Sequence, residues 1–315
     1  MRPTYPLGLL LGLAVLSPTV LKAQTNQVIS GPASSTPGTL NTIIRLNYGV
    51  GESQQDALTG TENTLIGNAA GAAYRSLSSR NTIVGSRAGA YTYRNQLATA
   101  QDNTLLGVTA GQSLVGSYNT FTGSGTGAME PPGAGAPINY GGYNTFNGYQ
   151  AGYATQGGSY NTFLGSRAGY STTNGNSNIS IGISAAYTNQ TGHKNVMIGD
   201  SAGFNNTVSN NVFVGSKAGY ANTTGDNNIF LGTRAGTSNT TGAGNSFLGY
   251  AVGQNNTTGT ANTFLGYSAG TTNTTGYSNT FLGASAGYFN TTGFLIPSWA
   301  TRRAFRTQSV LSIRL

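Results

Sequence analysis

The sequence repeats a short unit punctuated by glycine, and this repetition constrains the fold more than any other feature. Thirteen copies of a motif like N-T-F-L-G begin at Asn63, and from Asn144 to Asn279 they are spaced by 17 residues, with a single spacing of 16. The earlier copies vary by insertion, the longest being the Pro/Gly-rich segment 128–142. Because so short a unit cannot bury its own apolar side chains, we expect the copies to stack as the coils of a solenoid.

Two positions of the repeat are almost always glycine. Counting the opening Asn as position 1, position 5 is Gly in all thirteen copies and position 9 is Gly in twelve, with Ala186 as the exception. Such glycines indicate corners with positive φ or close chain approach. The segment N-T-F-L-G between corners favours a short strand, and N-T-T-G predicts a second one. The prediction is an all-β chain: a parallel β-solenoid of about 13 coils, flattened because 17 residues enclose little volume.

The repeat positions that carry this prediction recur at fixed offsets. Four copies supply the representative residues: Asn161, Gly165, Ala168 and Gly169; Asn211, Gly215, Ala218 and Gly219; Asn228, Phe230, Leu231 and Gly232; Asn262, Phe264, Leu265 and Gly266.

Adjacent apolar residues at positions 3 and 4 predict a sheet that is apolar on both faces. Successive strand side chains point to opposite faces, so Phe264 and Leu265 belong to different columns. One column fills the coil, while the other forms an apolar stripe on the order of 60 Å long at ~4.7 Å per coil. Strands that are apolar on both faces are buried on both faces, so we expect a partner, most simply another copy of this chain.

The chain divides into four segments. Residues 1–23 have Arg2 before an apolar run and Ala23 at a cleavage position, which predicts a secretory signal peptide. We expect no transmembrane segment in the mature chain. Residues 24–60 are a lead-in in which Asn41 could open a degenerate coil, 61–293 form the solenoid, and 294–315 depart from the pattern.

The last segment suggests a frameshift. When residues 294–315 are back-translated and read one frame over, the genetic code permits a further repeat whose opening Asn falls 17 residues after Asn279. The hypothesis is that a frameshift near residues 293–295 interrupted a longer repeat protein. Codons in the gene that exclude the repeat in the shifted frame would contradict it.

The charge and the cysteine content limit the classes of function and the kinds of stabilising bond that the chain can have. The formal charge is +8, but six of the 15 basic residues lie in the signal peptide or the tail, which leaves nine basic and 7 acidic residues. A net +2 does not predict nucleic-acid binding. Since the chain contains no Cys, no disulfide can stabilise it.

The sequence does not predict an enzyme, a metal site or a cofactor. The acidic residues are scattered over different repeat positions, so they form no predicted pair for acid–base chemistry. His193 is the single His, and a Ser/His/Asp site would depend on one turn residue. We therefore interpret His193 as structural.

Two columns could bind ligands or carry modifications. The first is an aromatic column at position 10, which is predicted either to stack on itself or to contact a protein or glycan. Its members are Tyr153, Tyr170, Tyr187, Phe204 and Tyr220. The second is the Asn column at position 12, which reads as N-x-T glycosylation acceptors or as a hydrogen-bonded ladder, and the ladder is favoured. Its N-x-T members are Asn222, Asn239, Asn256, Asn273 and Asn290.

These residues resemble a known family, the YadA-type head repeats of trimeric autotransporter adhesins. The resemblance covers roughly 63–293, through motifs such as NTFLGSRAGY (161–170) and NVFVGSKAGY (211–220). In that family, coils of the form N-x-x-x-x-G-x-x-A-x-G stack into a left-handed parallel β-roll, and three rolls meet around an axis. The chain departs from the family in its longer period and in having no heptad-patterned stalk.

The resemblance implies an exported homotrimeric adhesin, secreted or at the cell surface on the exterior of a bacterial outer membrane, with a host or matrix protein or a glycan as partner. Three alternatives stay open. A structural spacer needs no ligand, whereas an ice-binding solenoid needs an unbroken Thr array, which Ile179 and Val196 interrupt at position 2. A polysaccharide-cleaving β-helix predicts clustered carboxylates, and the long loop offers only Glu130.

Overall fold

The structure is a computed structural model that describes residues 42–44, 60–71, 78–90, 100–128 and 138–299. The predicted signal peptide and the tail beyond residue 299 lie outside these ranges. Within them the chain forms one parallel sheet of fifteen three-residue strands, each paired with its neighbours in chain order. The strands are β1 (Thr42–Ile44), β2 (Thr64–Ile66), β3 (Thr82–Val84), β4 (Thr104–Leu106), β5 (Thr120–Thr122), β6 (Thr145–Asn147), β7 (Thr162–Leu164), β8 (Ile179–Ile181), β9 (Val196–Ile198), β10 (Val212–Val214), β11 (Ile229–Leu231), β12 (Ser246–Leu248), β13 (Thr263–Leu265), β14 (Thr280–Leu282) and β15 (Pro297–Trp299).

The strands pair with like residues above like. Phe264 of β13 lies beside Phe247 on one side and Phe281 on the other. The predicted all-β parallel solenoid is therefore confirmed. The sheet extends past the thirteen aligned copies at both ends, because β1 follows Asn41 and β15 lies in the aberrant segment, where Ser298 pairs with Phe281.

The second strand predicted at N-T-T-G is wrong, since the two Thr residues form a bend, and no strand, in each described coil that carries this segment. In the coil that begins at Asn228, the backbone N–H groups of Thr240, Thr241 and Gly242 all donate to the carbonyl of Thr257, at 2.9, 3.2 and 3.3 Å. Three donors that converge on one acceptor bend the chain, so no extended ladder can form there. Each coil thus contributes one strand and closes through turns.

A column of rings fills the solenoid. The Phe side chains at position 3 are 0–1% exposed, and in the part of the chain from Phe213 to Phe281 their centroids lie 4.6–4.9 Å apart. Small side chains at position 8, mostly Ala, are buried beside them. Identical rings one strand spacing apart stack face to face, so the in-register sheet sets the packing of the core.

The two glycine positions have different structural roles. At position 5, a Cβ on Gly165 would lie 2.6 Å from the carbonyl oxygen of Gly182 in the next coil, and φ is +132°. At position 9, a Cβ on Gly169 would lie 2.5 Å from the ring of Phe163 in the same coil, and φ is +59°. Position 5 therefore lets coils approach, and position 9 makes room for the ring.

The exception at position 9 is matched by an exception at position 3. The coil that carries Ala186 has Ser180 where the other coils have a large apolar side chain, and both residues are 1% exposed. Ala186 keeps a left-handed φ of 53°, so its methyl group points into space that a ring would fill. Ser180 Oγ is buried without a hydrogen-bond partner among the described residues. The ring column is interrupted at this coil.

This pairing predicts a strong coupling between the two positions. Ser180→Phe alone should destabilise the chain by about 1–3 kcal/mol, because the new ring overlaps the Ala186 methyl group. Ser180→Phe combined with Ala186→Gly should exceed the wild type in stability by about 1–2 kcal/mol, since a ring is buried without overlap. Urea unfolding followed by circular dichroism measures both. Additive effects of the two substitutions would contradict the pairing.

Buried asparagines join each coil to the next. Asn245 Nδ2 donates to Asn228 Oδ1 at 3.2 Å and to Gly259 O at 2.8 Å. Its own Oδ1 accepts from the backbone N of Asn262 at 3.0 Å and from Asn262 Nδ2 at 3.1 Å. Position 1 is therefore a continuous ladder that also ties the start of each coil to its end.

A second Asn ladder follows position 12. Asn239 Nδ2 donates to Asn222 Oδ1 at 2.7 Å and to Gly242 O at 2.9 Å, and Asn256 Nδ2 donates to Asn239 Oδ1 at 2.7 Å. The hydrogen-bonded ladder predicted for this column is confirmed. Both ladders satisfy amide groups that would be costly to bury unpaired.

Asn245→Asp should destabilise the chain by about 3 kcal/mol at neutral pH, because the second carboxylate oxygen would face the Asn228 and Gly259 oxygens. The neutral acid can still donate to Gly259, so folding raises the pKa of the new carboxyl. The penalty is therefore small below the unfolded pKa of ~3.9 and grows as pH rises through the raised folded value. Thermal unfolding across pH measures it. Exposed Asn255→Asp is the control, and equal effects at both sites would contradict the ladder's role.

Candidate functional site

The outer side of the sheet is a regular surface that runs along the described strands, and we call its side chains at positions 2 and 4 the outer face. Within β13, Phe264 is 0% exposed while Leu265 is 42% exposed. The same alternation runs through the described strands β2 to β14, whose middle residue is buried and whose flanking residues are not. In a single chain the outer face therefore remains in water.

The outer face is most apolar over four successive strands, β8 to β11. Both outward positions there are aliphatic, whereas Thr occupies position 2 in β2 to β7 and again in β13 and β14. The eight residues are Ile179, Ile181, Val196, Ile198, Val212, Val214, Ile229 and Leu231. The same residues interrupt the Thr column that ice binding would need.

The predicted aromatic column at position 10 is a continuous stack. Successive rings from Tyr153 to Tyr220 lie 5.0, 4.9, 4.9 and 5.2 Å apart, with interplanar angles of at most 20°. Tyr170, Tyr187 and Phe204 are half-buried. Because each inner ring is covered on both faces by its neighbours, a ligand could reach only ring edges along most of the column.

Sequence reasoning missed a second tyrosine stack at the residue just before the opening Asn. Tyr118 and Tyr143 lie 4.7 Å apart, and Tyr143 and Tyr160 lie 5.0 Å apart. These three are 43, 52 and 61% exposed. The signal was present in the sequence as the recurring fragments S-Y-N-T and G-Y-N-T.

The N-x-T asparagines named above are structural in the folded chain. Asn222, Asn239, Asn256 and Asn273 are 0% exposed, and Asn290 is 4% exposed. Their amide groups make the coil-to-coil bonds described above. A glycan on any of these nitrogens would require that coil to open.

His193 also belongs to a hydrogen-bonded column. Its Nδ1 accepts from the backbone N of Asn176 at 3.0 Å, and its backbone N donates to Ser209 Oγ at 2.9 Å. In the same way, the backbone N of Ser159 donates to Asn176 Oδ1 at 2.7 Å. The imidazole thus replaces a Ser or Asn as an acceptor for the preceding coil.

Charged side chains are sparse in the described ranges, which contain no group of three His, Cys, Asp or Glu residues placed to hold a metal ion. The clearest ion pair joins adjacent coils, where Arg80 Nε and Nη2 donate to the two Asp102 carboxylate oxygens at 2.6 and 2.7 Å. These bonds lower the pKa of Asp102 and raise the pKa of Arg80. Glu62 lies at the equivalent position of the preceding coil, so opposite charges alternate there.

No protein-family model and no curated protein matches the sequence. The described part of the chain has no helix that is long and apolar enough to cross a membrane.

The ion pair gives a pH-dependent prediction. Asp102→Asn should lower the unfolding temperature slightly at neutral pH, because the charge-assisted bonds to Arg80 are lost. Since folding lowers the pKa of Asp102, its contribution is present above the unfolded pKa of ~3.9 and lost as pH falls through the lower folded value. Melting curves of the wild type and the variant should converge in acid, and a difference that persists or grows there would contradict the assignment.

Proposed function

We propose that the chain is the head of an exported, rod-like adhesin that associates with copies of itself and contributes to cell-surface attachment or matrix structure. The observation that carries the proposal is the outer face, where Leu164, Leu265 and Leu282 are 45, 42 and 39% exposed in a single chain. In this proposal the outer face serves binding rather than catalysis.

The size of the outer face supports association along the whole rod. Fifteen strands at ~4.8 Å spacing, each about 10 Å wide, give on the order of 700 Å² per copy, near the ~800 Å² per partner of stable interfaces. The aliphatic part over β8 to β11 covers less than a third of that length. A partner that matches the coil spacing over the full face is another copy of the same solenoid.

A trimer on the exterior of a bacterial outer membrane is the assembly implied by the resemblance to YadA-type heads, and we include it in the proposal. The contacts of the Thr hydroxyls at position 13 argue against the ice-binding alternative for this column, because these hydroxyls donate to protein. Thr223, Thr240 and Thr257 Oγ1 donate to the carbonyl of the next coil at 3.1, 3.0 and 3.1 Å. Those hydroxyls are not free to organise ice.

Replacing three neighbouring Leu residues of the outer face tests self-association. The variant Leu248→Lys, Leu265→Lys, Leu282→Lys should be monomeric by light scattering, whereas the wild-type solenoid should have the mass of a trimer, since buried like charges oppose the contact. The matched control places three Lys at exposed turn positions of similar coils, as Thr241→Lys, Thr258→Lys and Thr275→Lys. A monomeric wild type at high concentration would contradict the proposal.

The adhesin role needs a separate measurement. The wild type and both variants are compared for retention on surfaces coated with matrix protein or glycan. Retention that falls only in the outer-face variant supports an assembled adhesin. A trimer that shows no retention on any coating indicates the structural spacer instead.

A further inference from the structure

Three exposed tyrosines form an ordered stack that the proposed function does not use. Tyr118, Tyr143 and Tyr160 each precede the opening Asn of successive coils, and their rings are tilted by only 12° and 7° from one to the next. All three are more than two-fifths exposed. The phenol edges are therefore open to reagents in water while the rings are held together.

The backbone fixes this stack in register. The three residues have left-handed φ values of 62, 58 and 59°, a conformation in which Asn and Gly are favoured over bulky side chains. Asn210 and Gly244 occupy the same position in later coils. The amide N–H groups of Tyr118, Tyr143 and Tyr160 donate to carbonyls of the preceding coil at 3.0, 3.1 and 3.1 Å. The coil-to-coil ladder thus keeps neighbouring phenols side by side.

The position-10 stack is similar to this stack in ring geometry but differs from it in exposure. Tyr170 and Tyr187 lie 4.9 Å apart at 2°, so their geometry is similar, but both rings are half-buried. Tyr250 and Tyr267 are exposed but lie 5.4 Å apart. The stack from Tyr118 to Tyr160 combines ring spacings of 4.7 and 5.0 Å with high exposure.

We propose that Tyr118, Tyr143 and Tyr160 form a site of oxidative dityrosine cross-linking within one chain. A peroxidase using hydrogen peroxide removes one electron and one proton from each of two neighbouring phenols. The two phenoxyl radicals join through a carbon–carbon bond between ring carbons ortho to the hydroxyls. Both ring carbons then lose their proton to restore the aromatic phenols. Overall, two tyrosines and one peroxide give one dityrosine and two waters.

The position of the site indicates its use. A bond between Tyr118 and Tyr143 would close the coil that carries the longest insertion, segment 128–142. Covalent closure of a long loop stabilises a fold by restricting the unfolded chain. Because the chain has no Cys, a tyrosine bond would supply the kind of covalent closure that disulfides supply in many small secreted domains. This inference does not rest on the adhesin proposal.

Equal parts of unlabelled and ¹⁵N-labelled protein are unfolded in urea, mixed and refolded together, and the mixture is then treated with a haem peroxidase and hydrogen peroxide. Dityrosine fluorescence reports the total yield, and mass spectrometry of the digest identifies the joined peptides. We expect peptides that link Tyr118 to Tyr143 or Tyr143 to Tyr160, each carrying one isotope only. The cross-linked chain should also unfold at a higher temperature than the untreated chain.

Two substitutions separate the site from general oxidation. Tyr143→Phe keeps the ring stack but removes the shared phenol, so both linked peptides should be lost. Tyr187→Phe makes the same change in the half-buried stack and should leave both peptides at the wild-type yield, and circular dichroism verifies that each variant is folded. The proposal is overturned if neither peptide forms in the wild type, if about half of the linked peptides carry both isotopes, as coupling between chains would give, or if the Tyr143→Phe variant keeps the wild-type yield at these peptides.

Discussion

The structure depends on buried Asn side chains that bond to the equivalent Asn one coil away and to a backbone carbonyl of their own coil. An Asn at position 1 donates to the preceding coil and accepts from the following one, and at position 12 the same chain of bonds is repeated with shorter distances of 2.7 Å. These groups are buried, so a shift of register would leave them unpaired in a dry interior. The ladders therefore fix the pairing of strands too short to define it themselves.

Register then determines the rest of the packing. With strands aligned, Phe lies on Phe, and the ring of each coil occupies the space where the residue at position 9 would place a Cβ. Ser180 and Ala186 indicate that the two positions are coupled, because the one copy among the thirteen aligned copies without a large apolar side chain at position 3 is also the one with a methyl group at position 9. The residue after each Phe, most often Leu, is turned outward by the same pleat, which creates the outer face that the proposed assembly uses.

Much of this structure could be predicted from the sequence, because each residue can be compared with its counterparts in the other copies of the repeat. The strand at N-T-F-L-G, the corners at Gly165 and Gly169 and the Asn ladders all follow from recurrence at fixed offsets. The N-T-T-G strand was mispredicted, since propensity cannot show that three amides share the carbonyl of Thr257. The tyrosine stack from Tyr118 to Tyr160 was missed because the insertion at 128–142 displaces one member from the regular spacing. The handedness of the solenoid and its assembly with other copies depend on contacts that the sequence of one repeat does not encode.

The Asn ladders also bear on how such a chain changes over generations. Where both ladders run, in the coils that begin at Asn228, Asn245 and Asn262, each coil offers equivalent donors to the coil before it and equivalent acceptors to the coil after it. Gaining or losing one such coil therefore leaves no amide unmatched. A gene in which such copies are also alike in nucleotide sequence can gain or lose whole units by misaligned copying. The length of the solenoid can therefore change over generations in steps of ~4.8 Å, one coil at a time. The packing of its interior stays the same.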